Sequence, residues 1–364
     1  MRLKIAFVAG YCPIKLPQKL SPLHGLDEVQ SIDLFSRKKY ETPDMPKLRW
    51  IYIPGFFGIS VLQELARLLA LLAAAWKYDL IIACHQTYHG VWAWLAGKLW
   101  RKPVIQMVIT DIDWVNEKFF PSIAMLSADA CGVRGPLAAG KLRKLGFKRQ
   151  IETLHNTIGT MPRLPNGGKT ADIGKLFDLL AVASYGKEKN FPWMFEIISE
   201  TAKKMPSLLL AVAGDGQEHL KKLVKQKRLE ANVKLLGPVY GSELALLYCR
   251  SKALLLSSET EGLPMVVLEA FSFGIPAFVS DAGELPWIVR DGIDGKVVAH
   301  GATAQMSGCI LDAFQDPTIL ENMGRSAMER FVELSADFSP RSIGDCWERL
   351  IRAALKNKGI TFEK

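Results

Sequence analysis

The sequence predicts an α/β protein of two doubly wound domains, each a parallel sheet covered by helices, and three observations carry that expectation. Short apolar runs alternate along the chain with amphipathic stretches of helical period; parallel strands read as such runs because both their faces are covered. The alternation breaks once, at Thr157–Gly174, where Gly, Pro, Thr and Asn gather as in a linker, and then restarts. The chain has 364 residues, which suits two domains at roughly 100–200 residues each.

In the first block, strands are expected at Lys4–Ala9, Ser31–Phe35, Arg49–Ile53, Leu80–Ala83, Val104–Ile109, Ala130–Val133 and Ile151–Leu154, with helices at 59–76, 88–100 and 136–145. In the second, strands are expected at Asp178–Ala183, Leu208–Ala213, Val233–Leu236, Ala253–Leu256, Ala277–Val279 and Gly295–Val297, with helices at 190–203, 216–228, 242–249, 264–273 and 303–314. The domains that follow are residues 1–156, a linker at 157–176, residues 177–336, and a last helix within 337–364 that returns to the first domain. In sheets of this kind ligands bind at the carboxyl ends of the strands.

Composition narrows the class. Hydrophobic residues at 49% and charged residues at 23% suit a globular chain and not a disordered one. The nearest pair among the six cysteines is Cys309 and Cys346, so there is no zinc or redox spacing, and the thiols read as reduced and buried in a cytoplasmic setting. Leu3–Ala9 reads as a first strand, not a signal peptide. The most hydrophobic helix candidate, Ile59–Trp76, is interrupted by Gln63, Glu64 and Arg67 and falls short of the about 20 apolar residues that a membrane span needs. Charge is uneven: residues 1–150 hold 21 Lys+Arg against 11 Asp+Glu, while residues 151–364 hold 25 against 26. A basic first domain points to an anionic partner, here a membrane surface at the inner face of the cell, with general solubility as the plain alternative. Arg37-Lys38-Lys39 and Lys141–Arg149 are the clusters that would meet it. No aromatic interleaving accompanies Lys141–Arg149, so nucleic acid is not expected as a partner.

The chemistry concentrates in Leu254–Gly295, a strand–loop–helix–strand unit with Glu261 in the loop and Glu269 in the helix. Pro264 suits the first helical position and Gly274 the stop. A helix N-terminus offers unpaired N–H groups and a partial positive charge to phosphate oxygens. Gly262 permits close backbone approach, and carboxylates accept hydrogen bonds from sugar and ribose hydroxyls. Two lone glutamates would read as surface charges; set in this loop they suit a phosphorylated sugar donor.

The pattern S-x-x-E-G-x-P…E-A…G-x-P, with seven residues between Glu261 and Glu269, resembles the hallmark of retaining glycosyltransferase family 4. Ala213-Gly214-Asp215-Gly216, Leu236-Gly237-Pro238-Val239, Asp291-Gly292-Ile293-Asp294-Gly295, Leu154-His155-Asn156 and Asp337-Phe338-Ser339 extend the resemblance. It implies the GT-B fold, two Rossmann-like domains facing across a cleft, and sugar transfer from a nucleotide-diphosphate donor with retention. No cofactor is expected, and no metal, because helix N-termini and Lys189 can neutralise the leaving diphosphate. The resemblance also implies roles: Glu269 on the ribose, Glu261 on the transferred sugar beside Ser258, and the backbone of Gly262, Leu263 and Pro264 on sugar and phosphate. Gly214 would lie against the donor, and Gly237 and Val239 in the loop that holds the base. Lys189 stands where the family has a diphosphate-clamping Lys, but Ser184 stands where it has Arg, which leaves that contact to Lys187 or unmade. The first domain departs further, because Tyr11–Glu28 contains only Gly25 and the second strand follows soon after.

Other motifs have plainer readings. Asp111-Ile112-Asp113 is similar to a metal-binding Asp-x-Asp, but with no further ligand a cleft position for Asp111, touching donor or acceptor, is preferred. His85 and His89 have zinc-helix spacing without its Glu, so His85, at a strand's carboxyl end, is a candidate for the acceptor. Gly214-Asp215-Gly216 lacks the third glycine of a dinucleotide fingerprint. Trp92, Trp94 and Trp100 read as packing residues. The expected function is transfer to a saccharide or lipid-linked acceptor in polysaccharide or cell-envelope glycan synthesis. The alternatives are a catalytically weak sugar-nucleotide-binding protein and a nucleotide-sugar epimerase of the same fold.

Overall fold

The computed structural model describes residues 2–10, 15–36, 45–52, 60–85, 87–109, 112–158, 161–164 and 173–360. The chain divides into two units, Met1–Ile158 with Asp337–Lys364, and Gly159–Ala336. Half of the expected linker at 157–176, the Arg37-Lys38-Lys39 cluster and Asp111 lie outside the described residues.

Unit 1 runs β1 (Leu3–Ala9), α1 (Lys15–His24), β2 (Val29–Ser36), β3 (Leu48–Tyr52), α2 (Ser60–Ala74), β4 (Leu80–Cys84), α3 (Tyr88–Trp100) and β5 (Val104–Val108). It continues with α4 (Ile112–Asn116), α5 (Phe119–Leu126), β6 (Ala130–Val133), α6 (Pro136–Lys144) and β7 (Gln150–Thr153). Its sheet has the order β3-β2-β1-β4-β5-β6-β7 with every pair parallel. Central strands β4 and β5 are buried at every position, as the apolar run of β4 requires; in β5 the one polar residue, buried Gln106, donates to the Gly90 carbonyl at 3.1 Å.

Unit 2 runs β8 (Phe177–Val182), α7 (Phe191–Ala202), β9 (Leu210–Ala213), α8 (Gln217–Lys227), β10 (Val233–Gly237), α9 (Gly241–Cys249), β11 (Ser251–Leu256) and α10 (Met265–Ser272). It ends with β12 (Ala277–Ser280), α11 (Leu285–Ile288), β13 (Gly295–Val298), α12 (Thr303–Gln315) and α13 (Pro317–Ser335). Its parallel sheet has the order β10-β9-β8-β11-β12-β13. The last helix, α14 (Pro340–Lys356), lies in unit 1 against β5, β6, β7 and α1. It buries Ile343, Trp347, Leu350, Ile351 and Ala354, a 3–4 residue spacing, and each large apolar side chain contributes about 1.5–3 kcal/mol.

Both sheets reverse strand order once, at β1/β4 and at β8/β11, and the crevice outside such a point is where open α/β sheets place ligands. Three of the motifs make structural contacts within this frame. His155 is buried and stacks on Phe338 at 4.2 Å, while Ser339 caps α14 by accepting from the Ser342 N–H at 3.1 Å. Buried Asp294 closes the turn before β13 by accepting from the Arg290 backbone N–H and Nε at 2.7 and 2.5 Å. The fold also departs from expectation. Helices α1, α4, α5, α11 and α13 are additional to the expected set, and Pro264 caps α10 from outside rather than beginning it.

Candidate active site

In unit 2 the switch point gathers the acidic and basic residues expected of the donor site. From β8 the chain passes Ala183, exposed Ser184 and Tyr185 into a 3₁₀ turn, Lys187–Lys189, that ends at Asn190. Asn190 adopts φ 44° and caps α7, its Oδ1 accepting from the Trp193 N–H at 3.3 Å. From β11 the chain enters Ser257–Gly262, and the two loops are sewn together. The Ser257 hydroxyl donates to the Lys189 carbonyl at 2.9 Å, and the Glu259 N–H to the Glu188 carbonyl at 2.8 Å. The consequence is an ion pair between Lys189 Nζ and Glu261 Oε1, with the Ser258 hydroxyl donating to the same oxygen at 2.8 Å. The Glu261 side chain is 9% exposed and Lys189 23%, so the pair is open on one side only.

Two glycines set the walls. Gly214 adopts φ 154°, and a Cβ there would stand 2.0 Å from the Ala183 carbonyl oxygen, so the Gly214-Asp215-Gly216 turn lies against the β8 loop. Gly283, at φ 57°, would put a Cβ 2.0 Å from the Glu261 carbonyl oxygen; the turn after β12 thereby cradles the Glu261–Gly262 backbone. Pro264 makes no side-chain cap to α10; the Val267 N–H donates to the Pro264 carbonyl at 3.2 Å, which leaves the Met265 and Val266 N–H groups of the first turn to a ligand or water. Glu269 sits further along α10, half-buried, and accepts from the Tyr248 hydroxyl at 2.8 Å. Tyr248 on α9 is fully buried and stacks on Phe273 at 5.4 Å. Burial first, then the Glu269 charge, hold its hydroxyl well above the ordinary tyrosine range, so it stays a donor. Gly237 turns at φ 76°, Val239 is half-buried and Tyr240 exposed after β10, while Lys187 is exposed beside Ser184.

In unit 1 the switch point holds a second polar group. His85, directly after β4, adopts φ 98°, a conformation that costs about 1–3 kcal/mol in a non-glycine residue. Its Nδ1 lies 2.8 Å from the Thr87 hydroxyl, and burial, then Lys19, push its pKa down. His89 Nδ1 lies 3.1 Å from the Cys84 carbonyl oxygen, and burial followed by the Arg67 charge lowers its pKa to about 4. Arg67 is buried, pairs with Glu64 at 3.0 Å and donates to the Ala9 and Phe35 carbonyls at 3.1 and 3.4 Å, at the ends of β1 and β2. Glu64 and Arg67 therefore serve the sheet's ligand end, whereas along the sequence they stand only as interruptions of an apolar helix. A cavity of about 720 Å³ opens beside His85, lined by Trp92, Trp94 and Leu95 of α3 and Phe119 and Phe120 of α5. Trp92 and Trp94, expected to pack, line it, and the buried Trp94 Nε1 has no hydrogen-bond partner among the described residues.

Asp113 is exposed and pairs with Lys141 at 2.6 Å. Arg143 and Arg149 donate to backbone carbonyls, those of Phe147 and Arg149 and those of Ser127 and Ala128, so the basic stretch also braces its own loops. Two residues at the unit 2 site carry no mark in the sequence analysis. Tyr248 leaves no local signal, because its partner lies across β11. Asn190 leaves one, an Asn before Phe191-Pro192 that suits a helix cap; its Nδ2 also donates to His300 Nε2 at 2.8 Å.

Residues 169–330 match the family model described as glycosyl transferases group 1. Among curated relatives, the amylovoran biosynthesis glycosyltransferase AmsD of Erwinia amylovora is 26% identical over 174 residues, 48% of this chain and 47% of its own. The chain spans about half the length of the curated relatives it matches. Among solved structures, sucrose-phosphate synthase from Thermosynechococcus elongatus superposes with TM-score 0.72 at 17% identity, over 98% of this chain and 100% of that one. Anabaena HepE in complex with UDP-glucose superposes with TM-score 0.70 at 16% identity, over 96% and 100%. These likenesses give the fold, which is GT-B: two parallel-sheet α/β units.

Proposed function

We propose, from the premise that residues 169–330 are a glycosyl transferases group 1 domain, that the protein transfers a sugar from a nucleotide-diphosphate donor to a saccharide or lipid-linked acceptor with retention of configuration. The observation that carries the reading is the convergence of Lys189, Glu261 and the uncapped N-terminus of α10 at the β8/β11 switch point, with Glu269 further along the same helix. Glu269, held by Tyr248, accepts hydrogen bonds from the ribose hydroxyls. Glu261 accepts from hydroxyls of the transferred sugar. The backbone of Gly262, Leu263 and Pro264 and the first turn of α10 meet the phosphates. Gly214 allows the donor close to the turn after β9, and Gly237 and Val239 border the base.

On donor binding Lys189 exchanges part of its contact with Glu261 for the diphosphate, and exposed Lys187 supplies the second cation where Ser184 replaces arginine. Fixed N–H dipoles and these lysines stabilise the charge that develops on the leaving diphosphate, so the chemistry requires no metal. No side chain at the site is placed as a covalent nucleophile. The acceptor hydroxyl attacks on the face the diphosphate leaves, and the departing phosphate takes its proton. On the acceptor side we place His85, neutral because of its lowered pKa, and Asp111. UDP-glucose, the ligand in HepE, is the first donor to try, and the reading places the protein in polysaccharide or envelope-glycan synthesis on the cytoplasmic side.

The test is turnover of radiolabelled nucleotide sugars with and without membrane or saccharide acceptors. Release of nucleoside diphosphate with label moved to the acceptor supports the reading. An altered sugar still joined to nucleotide, without acceptor, would make the protein an epimerase. Tight donor binding without turnover would make it a binding protein, the outcome that Ser184 would then explain.

A further inference from the structure

Over its first three turns helix α2 turns charges inward and leucines outward, before Leu71 restores an apolar inward side. Its inward residues include Glu64 and Arg67, whereas Leu62, Leu65 and Leu69 face water at 47%, 48% and 57% exposure. The inversion has a cause. Arg67 donates to the carbonyls at the ends of β1 and β2 and to Glu64, so this side of the helix is taken and Leu62, Leu65 and Leu69, at 3–4 residue spacing, point away from the sheet. The stripe does not end with the helix. Trp76 follows it, and the end of α3 lies alongside, the Trp100 indole N–H donating to the Leu72 carbonyl at 2.7 Å. On the other side α3 packs against α5, which exposes Phe119 and Phe120. Of the 18 large hydrophobic side chains exposed among the described residues, ten lie on α2, α3, α5 and the turn after α2. Chance scatter would not gather them on three adjacent helices, and a concentrated apolar patch marks an interaction surface.

The chemistry of its border selects the partner. Lys77 sits over the Trp76 ring at 5.4 Å, and Lys98, Arg101 and Lys118 are exposed around the α3 and α5 ends, with Glu117 as the neighbouring acid. Leucines flanked by tryptophans and rimmed by cations fit the boundary between hydrocarbon and anionic headgroups. Among the described residues, no helix is long and apolar enough to cross a membrane; the face lies on a bilayer and does not span it. We propose that the α2–α3–α5 face docks unit 1 on an anionic membrane. The purpose of the docking rests on the lipid-linked form of the acceptor proposed above, since the cavity beside His85 opens among the same aromatic side chains.

The experiment is co-sedimentation of the full chain with vesicles of phosphatidylcholine alone and with about 30% phosphatidylglycerol, at low and high salt. Pelleting is expected to rise with the anionic lipid and fall with salt. Leu62→Ser/Leu65→Ser/Leu69→Ser is expected to bind vesicles at least tenfold more weakly, with an unchanged melting temperature and unchanged nucleotide-sugar binding. Lys98→Glu/Arg101→Glu is expected to lose the dependence on anionic lipid. Phe119→Ser/Phe120→Ser repeats the test at the other end of the face. Wild-type protein that ignores anionic vesicles, or leucine variants that bind as well as wild type, overturns the proposal. So does light scattering that shows wild-type dimers turned into monomers by the leucine variant, because the face would then cover a second copy. Donor binding is measured on the same samples, so failure to dock with intact donor binding refutes this inference alone.

Discussion

Replacing Tyr248 with phenylalanine removes one hydroxyl and keeps the ring that fills the space beside Phe273. In the native protein that hydroxyl donates to Glu269 Oε2 at 2.8 Å from a fully buried position. A hydrogen bond to a charged group contributes about 1.5–3 kcal/mol, or roughly 10- to 150-fold at about 1.4 kcal/mol per decade. If Tyr248 holds Glu269 for the ribose, Tyr248→Phe weakens a nucleoside and its diphosphate by the same factor within that range, because both ligands carry the ribose. Inorganic diphosphate inhibits the variant as it does wild type. Titration calorimetry with the three ligands reads the pattern, and thermal unfolding checks that the variant still melts cooperatively. Unchanged nucleoside affinity in a folded variant would refute the reasoning, and so would a weakening confined to the diphosphate.

Three further outcomes follow from the geometry. Transfer is expected to continue at full rate in EDTA if, as proposed, Lys189, Lys187 and the α10 N-terminus carry the diphosphate charge; activity abolished by chelation and restored by manganese would reject that. His85→Gly is expected to raise the melting temperature by relieving about 1–3 kcal/mol of backbone strain at φ 98°, while lowering acceptor efficiency; a lower melting temperature would show that the histidine's contacts outweigh its strain. Burial, then the Arg134 charge, lower the His155 pKa from 6.5 to about 4, and burial, then Arg67, do the same to His89. The unfolded chain therefore binds protons that the folded chain refuses. Stability should be level above about pH 6.5 and decline as pH falls towards 4, and His155→Gln should flatten part of that slope in melts at stepped pH. A stability that holds constant across that range would contradict the placement of these rings.

What is legible in the sequence follows from local physics. Strands such as β4 and β11 are buried on both faces, so their runs announce themselves, and α10 is marked by Pro264 and Gly274. Helix α1 is hidden by Pro17 and Pro22, which argue against a helix in isolation; packing against α14 holds it in place. Helix α13 has a start that the sequence does display, Asp316 capping the Thr318 N–H with Pro317 in the first turn, although the expected elements stop short of it. At the site, Glu261, Glu269 and Lys189 are visible as a pattern, but Tyr248 is not, because a hydrogen bond across 21 positions and a strand has no local signature. The orientation of α2 misleads for a related reason. Apolar residues are ordinarily the buried stripe, and only the contact of Arg67 with two strand ends shows that the polar residues turn inward.

The central claim is that the β8/β11 switch point of unit 2 binds a nucleotide-sugar donor through Glu269. Titrating nucleotide-diphosphate sugars, UDP-glucose first, into the wild-type protein and Glu269→Ala by calorimetry tests it most directly. Saturable one-to-one binding by wild type is expected for at least one donor, weakened roughly 10- to 150-fold in the folded variant for donor and free nucleotide alike. Equal affinity in the two proteins, or no nucleotide-sugar binding by wild type, would contradict it.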